Sequence, residues 1–138
     1  MFKVKRVSRL EAKMIDWFWE QVGGMLIEDF QIMPESTGQD RNLIATVIIL
    51  DEPKRKMTAG TPLNLEGREV IVVRTKNRHI NMSIILQTVF SAQLIKRFRN
   101  AHKVQPVILC TIKNHILESI LKANGGCRVV VCPPEIGS

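Results

Sequence analysis

The chain reads as a single α/β domain, and three observations say so. Segments with apolar residues at helical spacing alternate with β-branched runs. Their order along the chain is α-β-β-β-α-β-α-β. Glycine, proline or asparagine stands at nearly every junction. The 138 residues suffice for one hydrophobic core, so a single domain over 1–138 is expected.

Ser8 and Glu11 fit a capping box, and Leu10, Met14, Trp17, Phe18 and Val22 follow at helical spacing. A first helix therefore runs to about residue 22, where Gly23 and Gly24 end it. Residues 25–33 read as a strand and 34–40 as a turn-rich stretch. Residues 43–50 form a β-branched run suited to a central strand buried on both faces. Residues 51–67 read as a long polar loop, and 69–76 as the next strand. A second helix covers about 81–100, with Met82, Ile85, Leu86, Val89 and Phe90 as its expected core stripe. Lys96, Arg97 and Arg99 fall in its last turn, where cations suit the helix dipole. Residues 104–111 form another strand. Asn114 caps a short helix carrying Ile116, Leu117, Ile120 and Leu121, with Glu118 and Lys122 as an i,i+4 pair. Residues 127–132 make the last strand, which Pro133 and Pro134 stop.

Composition narrows the class. Apolar residues are 45% and charged residues 24%, ordinary values for a globular chain. No apolar run reaches the roughly 18–20 residues that span a bilayer, and no apolar leader follows the charged N-terminus. A soluble, cytoplasmic protein without a membrane partner is expected. Cys110, Cys127 and Cys132 are odd in number and lack metal-ligand spacing, so they read as small buried hydrophobes. His79, His102 and His115 are scattered.

The net charge of +7 is unevenly spread. Residues 14–40 carry six acids and no base, whereas 41–78 carry eight bases against four acids, and 79–138 seven against two. A basic body attracts polyanions, and nucleic acid is the expected partner. The plainer alternative is a solvated basic surface.

The strand at 69–76 ends in Val73-Arg74-Thr75-Lys76, and the helix after it carries Leu86-Gln87-Thr88. Together with the element order, these residues resemble the PD-(D/E)XK nuclease superfamily. The resemblance is nearest to a group of small bacterial proteins with a Val-Gln-Thr-Lys third-strand motif. It implies a restriction-endonuclease-like fold, αβββαβαβ, with a central mixed sheet flanked by helices. In that fold the second core strand supplies an aspartate. The third supplies an acid or glutamine and, two residues on, a lysine. Residues two apart share a strand face, so the acids can hold a divalent cation beside the lysine.

The resemblance implies site roles for Lys76, Gln87 and Glu28, the last as an additional N-terminal acid. Two motif positions depart from the pattern: Ala45 stands at the aspartate position and Arg74 at the acid-or-glutamine position. Alanine cannot ligate a cation, and Arg74 adds a fixed charge beside Lys76. The chemistry tilts from metal-assisted hydrolysis toward phosphate binding. Nucleic-acid contacts are expected from Arg74, Lys76, Arg78, Lys54, Arg55, Lys56, Lys96, Arg97 and Arg99, with DNA the expected form. No metal ligand and no resident cofactor are expected.

Alternatives stay open. An active Mg²⁺-dependent nuclease could draw relocated carboxylates from Asp40, Asp51, Glu20, Glu28 or Asp29. A protein-interaction or oligomerisation module could keep the scaffold alone. By analogy with small nuclease-fold proteins, a homodimer is expected. Lys76 also reads as a solvated lysine at a strand end, Arg74 as a partner of Glu28 or Asp29, and Gln87 as a residue capping a backbone group.

Overall fold

The computed structural model describes residues 8–32, 44–58 and 64–136. Met33, the 34–40 turn and Asp40 lie outside them. The helices are α1 (Arg9–Val22), α2 (Met82–Arg99) and α3 (His115–Asn124). The strands are β1 (Met25–Gln31), β2 (Ile44–Ile49), β3 (Arg55–Met57), β4 (Glu69–Lys76), β5 (Lys103–Cys110) and β6 (Arg128–Val131). They form one six-stranded mixed sheet in the order β3-β1-β2-β4-β5-β6. β2 runs antiparallel to both β1 and β4. β5 and β6 continue parallel to β4, and β3 lies parallel to β1.

The α/β class and element order expected from the sequence are present, with one strand more. β3 lies inside the expected loop. It is three residues long and two of them are exposed, so it carries no apolar alternation to read. β2 is buried along five of its six residues, as a central strand should be.

Two-residue alternation divides the core between the sheet faces. Leu26, Ile48, Ile71 and Val73 pack beneath Met14, Ile15 and Phe18 of α1. Ile27, Val47, Val70 and Val72 pack with Ala92 and Ile95 of α2. Ile108 and Cys110, with Ile84 and Ile85 of α2, form a third cluster that Leu117 and Leu121 of α3 join. Thus α1 covers one face, and α2 and α3 the other.

Capping follows the sequence closely. The Ser8 hydroxyl accepts from Glu11 N–H, and the Glu11 carboxylate accepts from Ser8 N–H. Asn81 and Asn114 accept from Ile84 N–H and Leu117 N–H at the starts of α2 and α3. Glu118 does not form the expected pair with Lys122. Its Oε2 accepts from Asn114 N–H at 2.8 Å, a charge-assisted bond at the helix start.

The stripe of α2 is rotated from expectation. Its buried residues are Ile84, Ile85, Thr88, Ser91, Ala92 and Ile95. Met82, Leu86 and Phe90 are 60%, 51% and 58% exposed. Small residues let the helix approach the sheet, and their hydroxyls bond within the helix. Thr88 donates to Ile84 O and Ser91 to Gln87 O, each at 2.6 Å. On α3 likewise, Leu117 and Leu121 pack while Ile116 and Ile120 stay 74% and 53% exposed. No helix among the described residues is long and apolar enough to cross a membrane.

The turn from α1 into β1 depends on one glycine. Gly24 has φ +84, and a Cβ there would lie 2.5 Å from Ile49 O. Gly24→Ala should cost at least about 2 kcal/mol, from the left-handed backbone and the clash together. Gly125→Ala, also at positive φ but facing open space, should cost only about 1 kcal/mol. Urea unfolding of the two variants measures both.

Candidate functional site

The alternation that buries Val70 and Val72 under α2 carries Arg74 and Lys76 onto the same face, and Thr75 onto the α1 face. Contacts agree. Thr75 donates its hydroxyl to the Glu11 carboxylate of α1. Arg74 reaches α2, where Nη2 and Nε donate to the Ser91 hydroxyl at 2.8 and 3.3 Å, and Nη1 donates to Ile44 O at 3.3 Å. Thr46 pairs with Val73, so one step further Ala45 stands opposite Arg74. A buried methyl and a half-buried guanidinium thus occupy the positions where the resemblance implies two metal ligands.

Lys76 is half-buried at the end of β4, and among the described residues its ammonium has no hydrogen-bond or ion-pair partner. Gln87 lies on the same side of the sheet as Lys76, but its amide Nε2 donates to Ser83 Oγ at 3.1 Å within α2. That is a side-chain bond, where the alternative reading had a backbone group.

Glu28 lies apart from this group. It follows Ile27 into a bulge where the pairing slips between Ile27 and Phe30 and Asp29 takes φ 54. Alternation sets Glu28 with Leu26 on the α1 face, across the sheet from Lys76. Of the other alternative acids two are engaged elsewhere, and Asp40 lies outside the described residues. Asp51 pairs with Arg68 at 3.3 Å beside the start of β4, and Glu20 pairs with Lys54 at 2.7 Å. Among the described residues no group of three His, Cys, Asp or Glu side chains is placed to hold a metal ion.

The expected basic surface divides into three places. Lys54 and Lys56 meet Glu20 and Asp16 of α1 and lie 5.2 and 5.8 Å from the Trp19 ring, while Arg55 Nε donates to Met25 Sδ. These residues tie the edge strand down. Arg99 donates to the carbonyls of Gln31 and Ile32 and stacks on Phe30, and burial lowers its pKa. Lys96 and Arg97 are exposed toward the far end of α2, about 21–23 Å from its start.

The third place is the carboxyl end of β4 and β5. Here Arg78, at φ 78, donates its N–H to Thr111 Oγ1 at 2.7 Å, and its carbonyl accepts from Ile112 N–H at 3.1 Å. That stitches the loop after β4 to the loop after β5. It leaves the Arg78 and Lys113 side chains exposed beside Lys76.

Helix direction strengthens this end. α2 and α3 both start there. So does α1, because Glu11 in its first turn meets Thr75, while its last turn leads through Gly24 to Met25, which pairs with Ile49 beside Val70. The N-terminal partial positive charges of α2 and α3 stand on the Lys76 face of this strand end, and that of α1 lies across the sheet from them. Sequence reasoning missed Lys113 and this placement of helix starts. The position of Lys113 immediately before the Asn114 cap was the available signal.

The cysteines are not nucleophiles. All three are buried and free. Burial pushes each thiol up to about 11, and for Cys110 the Glu118 charge adds to it.

The class defined by fold and site is therefore an α/β protein with a mixed sheet and a cationic strand end. Comparison with protein-family models, curated proteins and solved structures finds no match for this chain.

Arg74 and Lys76 should separate in stability measurements. Arg74→Ala removes the donors held by Ile44 O and Ser91 and should cost about 1–3 kcal/mol. Lys76→Ala should stay within about 0.5 kcal/mol of the parent. Chemical denaturation monitored by tryptophan fluorescence distinguishes the two.

Proposed function

We propose that the chain is a nucleic-acid-binding protein on a PD-(D/E)XK nuclease scaffold that has exchanged metal-dependent hydrolysis for phosphate binding. The observation that carries this reading is the pairing of Ala45 and Arg74 at the two motif positions, beside a Lys76 with no carboxylate partner among the described residues. Support for the scaffold comes from the element order and from the mixed sheet, in which α2 connects β4 to a parallel neighbour.

Phosphate oxygens are the ligands such a site accepts. Arg74 supplies a permanent charge, held by Ser91 and Ile44 O, that disfavours a cation nearby. Lys76, Arg78 and Lys113 supply mobile charges, and the starts of α2 and α3 supply oriented N–H dipoles. Among the described residues no base-reading element accompanies them, so recognition is of the backbone and independent of sequence.

Binding of single- and double-stranded DNA, followed by fluorescence anisotropy from about 25 to 200 mM KCl, should weaken steeply with salt. The double variant Lys76→Ala/Arg78→Ala should reduce the slope of log K against log salt by about 2, one for each phosphate contact. Lys54→Ala/Lys56→Ala should leave it unchanged. Absence of binding at the lowest salt refutes the proposal. Plasmid cleavage in Mg²⁺ or Mn²⁺ that vanishes in Lys76→Ala would establish the active-nuclease alternative instead.

A second reading, self-association, is favoured by the exposed ridge of Met82, Leu86 and Phe90, three large apolar side chains at i, i+4 and i+8 on one helix. If α2 mediates a homodimer, sedimentation velocity should show a dimer that Leu86→Glu converts to monomer. A monomeric parent chain removes this reading.

A further inference from the structure

α3 contacts the sheet through little more than Leu117 and Leu121 and has no fully buried residue. Beside it lies a cavity of ≈ 620 Å³, open on one side. That volume falls within the roughly 300–1,000 Å³ of small-molecule sites. Its floor is apolar, formed by Pro106, Leu121, Cys127 and Val129. Gly125 and Gly126 leave one wall without side chains, and a Cβ at either would meet nothing within 4 Å.

The rim is cationic at both ends. Lys113 and His115 stand at the start of α3, and Lys122 and Arg128 about 10 Å away, seven helical residues along. Among the described residues none of these four side chains has a hydrogen-bond or ion-pair partner. One acid, Glu118, lines the cavity, and one of its oxygens is occupied by Asn114 N–H at the first end. The Lys122–Arg128 end therefore holds the greater uncompensated positive charge. Ser119 adds a hydroxyl without a partner among the described residues.

We propose that this cavity binds a nucleoside phosphate, with its phosphates at Lys122 and Arg128 and its base on the apolar floor. The free oxygen of Glu118 and the Ser119 hydroxyl are the groups available to ribose hydroxyls. An inorganic anion uses only the rim, and an uncharged nucleoside only the floor. A ligand carrying both engages the whole cavity. The site shares Lys113 with the strand end but places its phosphates at Lys122 and Arg128, away from Lys76 and Arg78, so it stands without the nucleic-acid reading.

The test is a ¹⁵N–¹H NMR titration of the full chain with ADP, inorganic pyrophosphate and adenosine, following the amides of Ser119, Gly125, Gly126 and Arg128. ADP should shift these amides saturably and bind at least tenfold more tightly than either fragment. Lys122→Ala/Arg128→Ala should weaken ADP at least tenfold. Lys96→Ala/Arg97→Ala and Lys76→Ala/Arg78→Ala should leave it unchanged. Equal affinity for ADP and pyrophosphate, an equal loss in the Lys96→Ala/Arg97→Ala variant, or no saturable shift at these amides would each overturn the proposal.

Discussion

Much of the geometry follows from the Arg74 guanidinium, held between the sheet and α2. β4 buries Val70 and Val72 beneath the helix, and the next residue on that face is charged. A half-buried arginine needs acceptors, and it finds the Ser91 hydroxyl and the Ile44 carbonyl. This requirement helps to set the rotation of α2. Ser91 must face the sheet, Thr88 and Ala92 follow it inward, and Met82, Leu86 and Phe90 are turned outward. The same contact fixes a guanidinium on the sheet face that Lys76 shares.

The net charge of +7 says little until each cation is assigned a partner. Two acids of α1 are not loose on the surface, because Asp16 and Glu20 stand opposite Lys56 and Lys54 across the α1–β3 edge. Exposed pairs of this kind contribute little each, about 0–1 kcal/mol. Here two of them, with the Trp19 ring between, close an edge strand that would otherwise present unpaired backbone. Cations spent on this edge, or on carbonyls as Arg99 is, no longer contribute to a polyanion surface. Of what remains, Lys76, Arg78 and Lys113 stand where strands end and helices begin, whereas Lys96, Arg97 and Lys122 lie at helix ends.

The sequence made the architecture legible wherever burial enforced a period. β2, β4 and β5 read directly, because two-sided burial selects β-branched runs, and Ser8 and Asn114 marked the starts of α1 and α3. β3 was not legible, since an edge strand of three residues has no buried face to impose a pattern. The stripe of α2 was misassigned because large apolar residues compete for the reading with Thr88, Ser91 and Ala92. Their fitness for the interface lies in size rather than hydrophobicity. For the site, a two-residue spacing sufficed to put Arg74 and Lys76 on one face. It could not show that Glu28 stands on the other, because the bulge at Asp29 and the pairing with β2 decide that. Nor could charge counting distinguish Arg78 from Arg99. One is left exposed by a backbone stitch, and the other is drawn inward by two carbonyls and a ring.

The strength of the strand end as an anion site can be bounded from its parts. Each helix start contributes about 0.3–1 kcal/mol toward a nearby anion at low salt. Glu11 and Glu118 already draw on two of the three, Glu11 through its cap and Thr75 and Glu118 through the Asn114 N–H. Lys76, Arg78 and Lys113 together suit about three phosphates, each released counterion adding slightly less than one to the salt exponent. Such a sum belongs to the sequence-independent range of roughly 10⁻⁴–10⁻⁶ M at physiological salt. That is too weak to select a site on a polymer by itself. It is sufficient to hold a polyanion against a surface without reading its sequence.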